Sequence, residues 1–175
     1  RDVMAAKEKY AGRLNVIYGV ELAQMMHKPD VTGKWLEKYR YEYVIGSTHT
    51  LRDRSLFSSP DFFDGKSDAQ LKASWELYLS EVREMLTADS YDVLAHITYP
   101  TRYYYKHGKE YLIDLEHKGR EQFEDILKAV INKGVALEIN TSGLRQPIGV
   151  TLPNRDLAAF YYELGGRELS FGSDA

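Results

Sequence analysis

The sequence contains no cysteine, which excludes a disulfide framework and any metal site built on thiolate ligands. It has no apolar run long enough to cross a bilayer, and its first residues are charged and helix-prone, unlike a signal peptide. It also lacks a large charge of either sign, since the net charge is -3, which disfavours a general nucleic-acid or membrane-surface binder. We therefore expect a cytoplasmic protein that needs neither a membrane nor a nucleic-acid partner.

The composition is that of a folded domain. A chain of 175 residues with 43% hydrophobic residues can bury a sizeable core within a single domain. Short β-branched or aliphatic runs alternate with segments of helical period, which is typical of parallel strands joined by crossover helices. The pattern predicts an α/β fold with strands at 16–22, 43–48, 92–97, 135–140 and 169–174.

Helix signals separate these runs. Ser67 followed by Gln70 predicts a capping box at the start of a long amphipathic helix. A later apolar stripe predicts a helix that ends at Gly134, and Asn154 is expected to cap another. Residues 35–41 are predicted to form a short helix or turn, and loops are predicted at 29–33, 51–65, 98–109 and 141–153.

Four of the apolar runs end on a side chain that can bind a metal: Glu21, His49, His96 and Asp174. The carboxyl ends of parallel strands meet at one face, so these residues are expected to lie close together. Imidazole nitrogens with carboxylate oxygens suit zinc, manganese or iron. The alternatives are a solvated strand end for Glu21, core histidines, and a helix cap for Asp174.

Three further residues are candidates for substrate binding. Arg102 and Arg145 follow predicted strands closely, and a guanidinium matches phosphate oxygens in a bidentate manner. Both could instead be solvated loop arginines. Asn140 ends a predicted strand, where a hydrogen bond to substrate and simple turn chemistry are equally plausible. The other histidines, His27, His107 and His117, are predicted to lie at the surface.

Five short motifs, in order along nearly the whole chain, carry a resemblance to a known family. They are Gly19-Val-Glu21, Gly46-Ser-Thr-His49, Ala95-His96, Glu138-Ile-Asn-Thr-Ser-Gly143 and Gly172-Ser-Asp-Ala175. In this order they resemble the later motifs of histidinol phosphatases of the PHP (polymerase and histidinol phosphatase) family.

The resemblance implies a distorted (β/α)7 TIM-like barrel with two or three divalent metal ions at its carboxyl face. Glu21 would bridge metals, while His49, His96 and Asp174 would supply further ligands. The chain would form a single PHP-type domain over residues 1–175. That domain is expected to be partial, because the family's opening His-x-His motif would precede Arg1 and a further histidine would follow Ala175.

The activity implied is that of a phosphomonoester hydrolase, in which a metal-bridged hydroxide converts histidinol phosphate to histidinol and phosphate in histidine biosynthesis. Two alternatives stay open at this point. One is a PHP phosphoesterase that acts on nucleic-acid ends or phosphotyrosine, and the other is a catalytically silent PHP-fold scaffold or regulatory domain.

Overall fold

A computed structural model describes residues 2–175 as an α/β fold built on one parallel sheet. The five strands follow one another in the sheet in chain order, and every neighbouring pair is parallel. They are β1 (Gly19–Ala23), β2 (Tyr43–Ser47), β3 (Val93–Leu94), β4 (Ala136–Asn140) and β5 (Leu169–Gly172). The predicted α/β class is therefore confirmed.

Six α-helices lie in the described part of the chain. They are α1 (Asp2–Lys9), α2 (Pro29–Tyr39), α3 (Asp68–Met85), α4 (Thr101–Lys106), α5 (Leu115–Lys133) and α6 (Arg155–Glu163). Short 3-10 turns occupy Met25–His27, Glu110–Leu112 and Ser142–Arg145. Between Asp2 and Ala175, no helix combines the length and the apolar character needed to span a membrane.

The sheet is strongly curled. The hydroxyl of Tyr43 on β2 lies 3.3 Å from the hydroxyl of Ser170 on β5, although β3 and β4 lie between these strands in the sheet. In a flat sheet, strands three places apart are separated by about 14 Å. The curl produces a concave face, and the strand register puts Glu21 and Glu138 on the same face as Tyr43 and Ser170.

The main core lies on the other, convex face of the sheet, beneath α3 and α5. Trp75 and Phe123 are fully buried where these two helices meet, with their ring centroids 6.1 Å apart. The indole N–H of Trp75 donates to Gln122 Oε1 at 2.9 Å, so the one polar group of this side chain has a partner. The centre of the core therefore lies where α3 and α5 meet.

The expected helix boundaries are largely confirmed. Ser67 and Gln70 form a complete capping box at the start of α3. The side chain of Asn154 accepts the N–H of Leu157 at the start of α6, and Gly134 ends α5 with a left-handed φ of 73°. Residues 51–65 contain no regular helix or strand, as predicted for a long loop.

Two predicted loops are wrong. Residues 29–33 are the first turns of α2, because Pro29 occupies the first helical position, where a missing N–H costs nothing. Residues 101–106, within the predicted loop 98–109, form α4, which is too short to show a helical period in the sequence. The first strand is also shorter than predicted, so Glu21 is the middle residue of β1 and not its last.

Candidate metal centre

Three side chains converge at the carboxyl side of the first three strands. Glu21 Oε1 lies 3.4 Å from His49 Nε2 and 3.4 Å from His96 Nε2. The two Nε2 atoms are 3.2 Å apart. Glu21 projects from β1, while His49 and His96 follow β2 and β3, so three neighbouring strands each supply one donor atom. The sequence prediction that these residues meet is supported by this geometry.

The triangle of donor atoms fits a divalent cation. Ligands about 2.0–2.1 Å from a tetrahedral metal are about 3.3 Å from one another, which is close to all three separations seen here. Two imidazole nitrogens and one carboxylate oxygen form a donor set that zinc, manganese and iron accept. Among the described residues, this is the group of His, Asp and Glu side chains compact enough to hold a metal ion.

The electrostatics of the centre favour metal-binding protonation states. The pKa of Glu21 is lowered to about 2, mainly by its hydrogen bond with the His96 ring, while burial opposes the shift. The pKa of His49 is lowered, first because burial disfavours the imidazolium and second because His96 is nearby. At neutral pH Glu21 is therefore an anion and His49 is neutral, which are the states that metal ligation requires.

The three side chains differ in their access to solvent. The side chain of His96 is 2% exposed, whereas those of His49 and Glu21 are 31% and 35% exposed. His96 thus forms the floor of the centre, and the other two residues line its mouth. A small molecule can approach the ligand atoms from the side of His49 and Glu21.

Asp174, the fourth predicted ligand, is not part of this triangle. It follows β5 with a left-handed φ of 47° and is exposed. Its charge nevertheless acts on the pKa of His49, as the smallest of the causes and in the raising direction. The structure brings Asp174 to the correct side of the sheet but outside metal-ligand distance of the other three.

Arg102 lies beside the metal centre. Its guanidinium stacks on Tyr99, 4.1 Å from the ring centroid, and Tyr99 in turn lies 4.7 Å from the ring of His49. Nη1 of Arg102 is 3.5 Å from Ser142 Oγ, and its Nε is buried with no hydrogen-bond partner in the described chain. The charge of Arg102 also contributes, as a smaller cause, to the lowered pKa of His49.

The other two predicted substrate contacts have different surroundings. Arg145 is exposed, and its Nη2 donates to the backbone carbonyls of Ser173 and Asp174. Asn140 is fully buried, and its side chain accepts the N–H of Ser142 while donating to Glu138. The contact with Ser142 is turn chemistry, one of the two alternatives that the sequence left open for Asn140.

The surface assignment of one histidine is wrong. The side chain of His27 is only 22% exposed, and its Nε2 lies 2.8 Å from the buried carboxylate of Glu81. Sequence reasoning missed Glu81 because it sits among the apolar residues of α3 and faces a loop that no periodicity reveals. His117 is 75% exposed, as predicted, and His107 is exposed with its ring stacked on Phe63.

Sequence reasoning also missed Glu138 and Tyr99. Glu138 is 5% exposed, and burial raises its pKa. A carboxylate within the apolar run 135–140 was a signal of the same kind that identified Glu21. The stacking role of Tyr99 had no signal in the sequence, because it depends on how the chain turns after β3.

A cavity of about 600 Å³ lies away from the triangle, between α4 and the starts of α5 and α6. Two of its acidic side chains, Asp114 and Asp156, are paired with His117 and Arg120 respectively. Both acids also lie at helix N-termini, where negative charge is favourable. None of Glu21, His49 and His96 lines the cavity, so it is separate from the metal centre.

Comparison with known proteins places this geometry in a family. The model of the PHP domain matches residues 2–142. A protein from Thermotoga maritima named probable histidinol-phosphatase is 35% identical over 167 residues, covering 90% of this chain and 67% of the relative. One of the same name from Clostridium acetobutylicum is 29% identical over 161 residues, covering 91% and 60%. This chain thus spans about three fifths of the length of several curated relatives.

Solved structures share the fold. A candidate histidinol phosphatase from Listeria monocytogenes superposes with a TM-score of 0.82 at 23% identity, covering 99% of this chain and 68% of that one. The histidinol phosphate phosphatase of Lactococcus lactis, solved with zinc, L-histidinol and phosphate, gives a TM-score of 0.76 at 19% identity, covering 98% and 63%. With a family model matching most of its length and a relative at 35% identity, this chain belongs to the PHP domain family.

Proposed function

We propose that this chain carries the metal centre of a hydrolase that converts histidinol phosphate to histidinol and phosphate. The observation that carries the proposal is the triangle of Glu21, His49 and His96, whose donor atoms are 3.2–3.4 Å apart. Support comes from the relatives named histidinol-phosphatase and from the Lactococcus lactis structure with zinc, L-histidinol and phosphate.

The proposed cofactor is a set of two or three divalent ions of zinc, manganese or iron. Glu21, His49 and His96 would hold one of them, and Asp174 would contribute to a neighbouring position at the mouth. A divalent cation there supplies Lewis-acid polarisation of water and of phosphoryl oxygens. The low pKa of Glu21 keeps this carboxylate ionised throughout the physiological range, so a ligand anion is always available.

We further propose that residues 1–175 form one PHP-type domain whose sheet belongs to a distorted (β/α)7 barrel. The contact between Tyr43 and Ser170 supports this, because it shows strands curling towards closure. In a barrel, the carboxyl ends of the strands surround a single mouth. That arrangement would let residues from separate strands act on one small phosphorylated substrate.

Arg102 is the proposed anchor for the phosphoryl group. Its guanidinium is half-buried and stacks on Tyr99 and Tyr103, and the ring of Tyr99 in turn lies against the ring of His49. A fixed guanidinium can donate two parallel hydrogen bonds to phosphate oxygens. Its buried Nε, without a partner in the described chain, is a donor that such an oxygen would satisfy.

Arg145 and Asn140 have weaker support as substrate contacts. Arg145 holds the backbone at Ser173 and Asp174, and a phosphate contact would require its exposed guanidinium to turn towards the mouth. The buried contacts of Asn140 support a role in shaping the turn after β4. We retain Arg145 as a second phosphate contact and Asn140 as a residue that shapes the turn after β4, beside the proposed substrate site.

The test of the proposed function is hydrolysis by the purified protein after loading with zinc, manganese or iron. Phosphate release from histidinol phosphate is compared with release from p-nitrophenyl phosphate, phosphotyrosine and a 5′-phosphorylated oligonucleotide. The proposal requires kcat/KM to be highest for histidinol phosphate and to fall when the metal is chelated. Preference for the oligonucleotide or phosphotyrosine, or activity that survives chelation, would contradict it.

Replacing Arg102 with alanine should lower kcat/KM for histidinol phosphate by roughly one to two orders of magnitude, the scale of a lost charge-assisted bidentate contact. The metal content should stay unchanged, because Arg102 is not a ligand. Lysine at this position should rescue only part of the loss, since it keeps the charge but not the planar fork. Steady-state kinetics and metal analysis of each variant measure both effects.

The matched control is Arg155→Ala, which removes an exposed arginine at the start of α6. Its kinetics should equal those of the parent. If Arg102→Ala also behaves like the parent, Arg102 does not bind the phosphoryl group.

A further inference from the structure

Glu138 is a buried carboxylate that the proposed metal chemistry does not use. It lies on β4 in the concave face and is 5% exposed. Its Oε2 accepts the backbone N–H of His96 at 2.9 Å and the side-chain amide of Asn140 at 3.2 Å. A carboxylate that is removed from water and aimed at a backbone N–H carries a desolvation cost, which its hydrogen bonds must offset.

The backbone that receives this contact is strained. His96 has a φ of 25°, on the positive side that residues with a β-carbon rarely adopt. Such a conformation persists only where surrounding contacts hold it. The hydrogen bond from His96 N–H to Glu138 is a direct contact of that kind.

The ring of His96 lacks the usual means of orientation. A metal-binding histidine commonly donates its second ring nitrogen to a carboxylate or a carbonyl, which fixes the plane of the ring. In His96, Nε2 faces Glu21 and His49, while Nδ1 is buried and has no hydrogen-bond partner in the described chain. The ring packs against the rings of His49 and Tyr99, and the hydrogen bond to a carboxylate that His96 does make is at its backbone N–H.

We propose that Glu138 is a positioning residue that aims His96 at the metal by holding its backbone N–H. The proposal rests on the metal centre of the proposed function. In other metal sites a carboxylate accepts the N–H of the second ring nitrogen of the histidine. Here Glu138 accepts the backbone N–H of His96 instead. Removing its acceptor oxygens lets the backbone at His96 relax and moves Nε2 out of the triangle.

Gly172 on β5 provides the space that Glu138 needs. A β-carbon at Gly172 would lie 2.0 Å from Glu138 Oε1, too close for any real contact. The two residues are on adjacent strands, with Gly172 next to Asn140 in register. Adding a methyl group at Gly172 should therefore displace Glu138 and disturb the backbone of His96. It should not contact the metal-facing Nε2 atoms of His49 and His96.

The test measures Co(II) affinity and the visible absorption of the Co(II) complex in the full protein. Glu138→Met removes both carboxylate oxygens and keeps a similar side-chain volume. It should weaken Co(II) binding by about 10–100-fold, the range seen when a residue that hydrogen-bonds to a metal ligand is lost. Glu138→Gln should keep most of the affinity, because its amide oxygen can accept the same N–H. In the metal-free protein, amide exchange at His96 should be faster in Glu138→Met than in the parent.

Gly172→Ala provides an independent route to the same effect with Glu138 kept, and parent-like Co(II) binding by this variant would count against the positioning role even if Glu138→Met does not fold. It should weaken Co(II) binding in the parent but have little further effect in a Glu138→Ala background, where the clash is gone. The matched control is Gly33→Ala, since a β-carbon there meets nothing within 4 Å. That variant should bind Co(II) like the parent.

Parent-like Co(II) affinity and spectrum in Glu138→Met would overturn the positioning role while leaving the metal centre intact. Equal effects of Gly172→Ala in the parent and in Glu138→Ala would overturn it as well. A parent that binds no Co(II) at Glu21, His49 and His96 would instead overturn the metal centre, and the positioning role with it.

Discussion

Replacing His96 with alanine is expected to reduce kcat for histidinol phosphate by more than about 100-fold. Loss of a residue that only hydrogen-bonds to a metal ligand costs about 10–100-fold, and loss of the ligand itself should cost more. The reason is that the variant loses the most deeply buried of the three donor atoms in the metal triangle. Metal content should fall in parallel. The protein should remain folded, because the centre of its core lies where α3 and α5 meet, around Trp75 and Phe123.

The matched control is His117→Ala, which removes a histidine that is 75% exposed and paired only locally with Asp114. Activity and metal content should both stay at parental levels. A His96→Ala variant that keeps its metal, or one that loses cooperative thermal unfolding together with activity, would return His96 to a structural role.

Replacing Trp75 with alanine is expected to give the largest loss of stability, about 3–5 kcal/mol in the free energy of unfolding. Trp75 is 1% exposed, packs between α3 and α5 near Phe123, and donates its indole N–H to Gln122. The variant loses this buried surface and leaves Oε1 of Gln122 without its partner. Denaturant unfolding measures the change, and thermal unfolding should show Tm lower by roughly 10 °C or more.

The other tryptophan of the chain is the natural comparison. Trp35 is 49% exposed and contacts Tyr39 on the same helix. Trp35→Ala should cost about 1 kcal/mol or less, because little of its surface is withdrawn from water. Equal destabilisation by the two substitutions would show that the core is not centred between α3 and α5.

Much of this fold could be predicted from local sequence signals. The capping box at Ser67, the cap at Asn154 and the stop at Gly134 each act within a few residues, so they are visible without tertiary contacts. The alternation of strands and helices also predicted the parallel sheet correctly. The short helix α4 could not be predicted, because six residues offer too few positions to reveal a period.

The candidate site was predictable to the extent that it follows strand ends. That rule correctly placed His49 and His96 after β2 and β3, where they meet Glu21, although Glu21 lies in the middle of β1 and not at its end. The strand-end rule gives no distances between side chains. It therefore could not show that Asp174 lies outside the cluster of Glu21, His49 and His96. Whether these residues bind metal remains a prediction of the geometry and of the family.

Contacts between residues that are distant in the sequence could not be predicted from the sequence pattern. The pairing of His27 with Glu81 joins residues 54 positions apart, and the stacking of Arg102 on Tyr99 depends on the turn after β3. The bond between Glu138 and the backbone of His96 likewise needs the pairing of β3 with β4. Each becomes visible only when the sheet register is known.

The most direct test of the central claim is an anomalous-difference map from crystals of the protein grown with zinc and measured on both sides of the zinc absorption edge. The account predicts a peak about 2.0–2.2 Å from Glu21 Oε1, His49 Nε2 and His96 Nε2, with Asp174 nearby. A strong zinc peak held by other residues, with these three side chains free of it, would contradict the account.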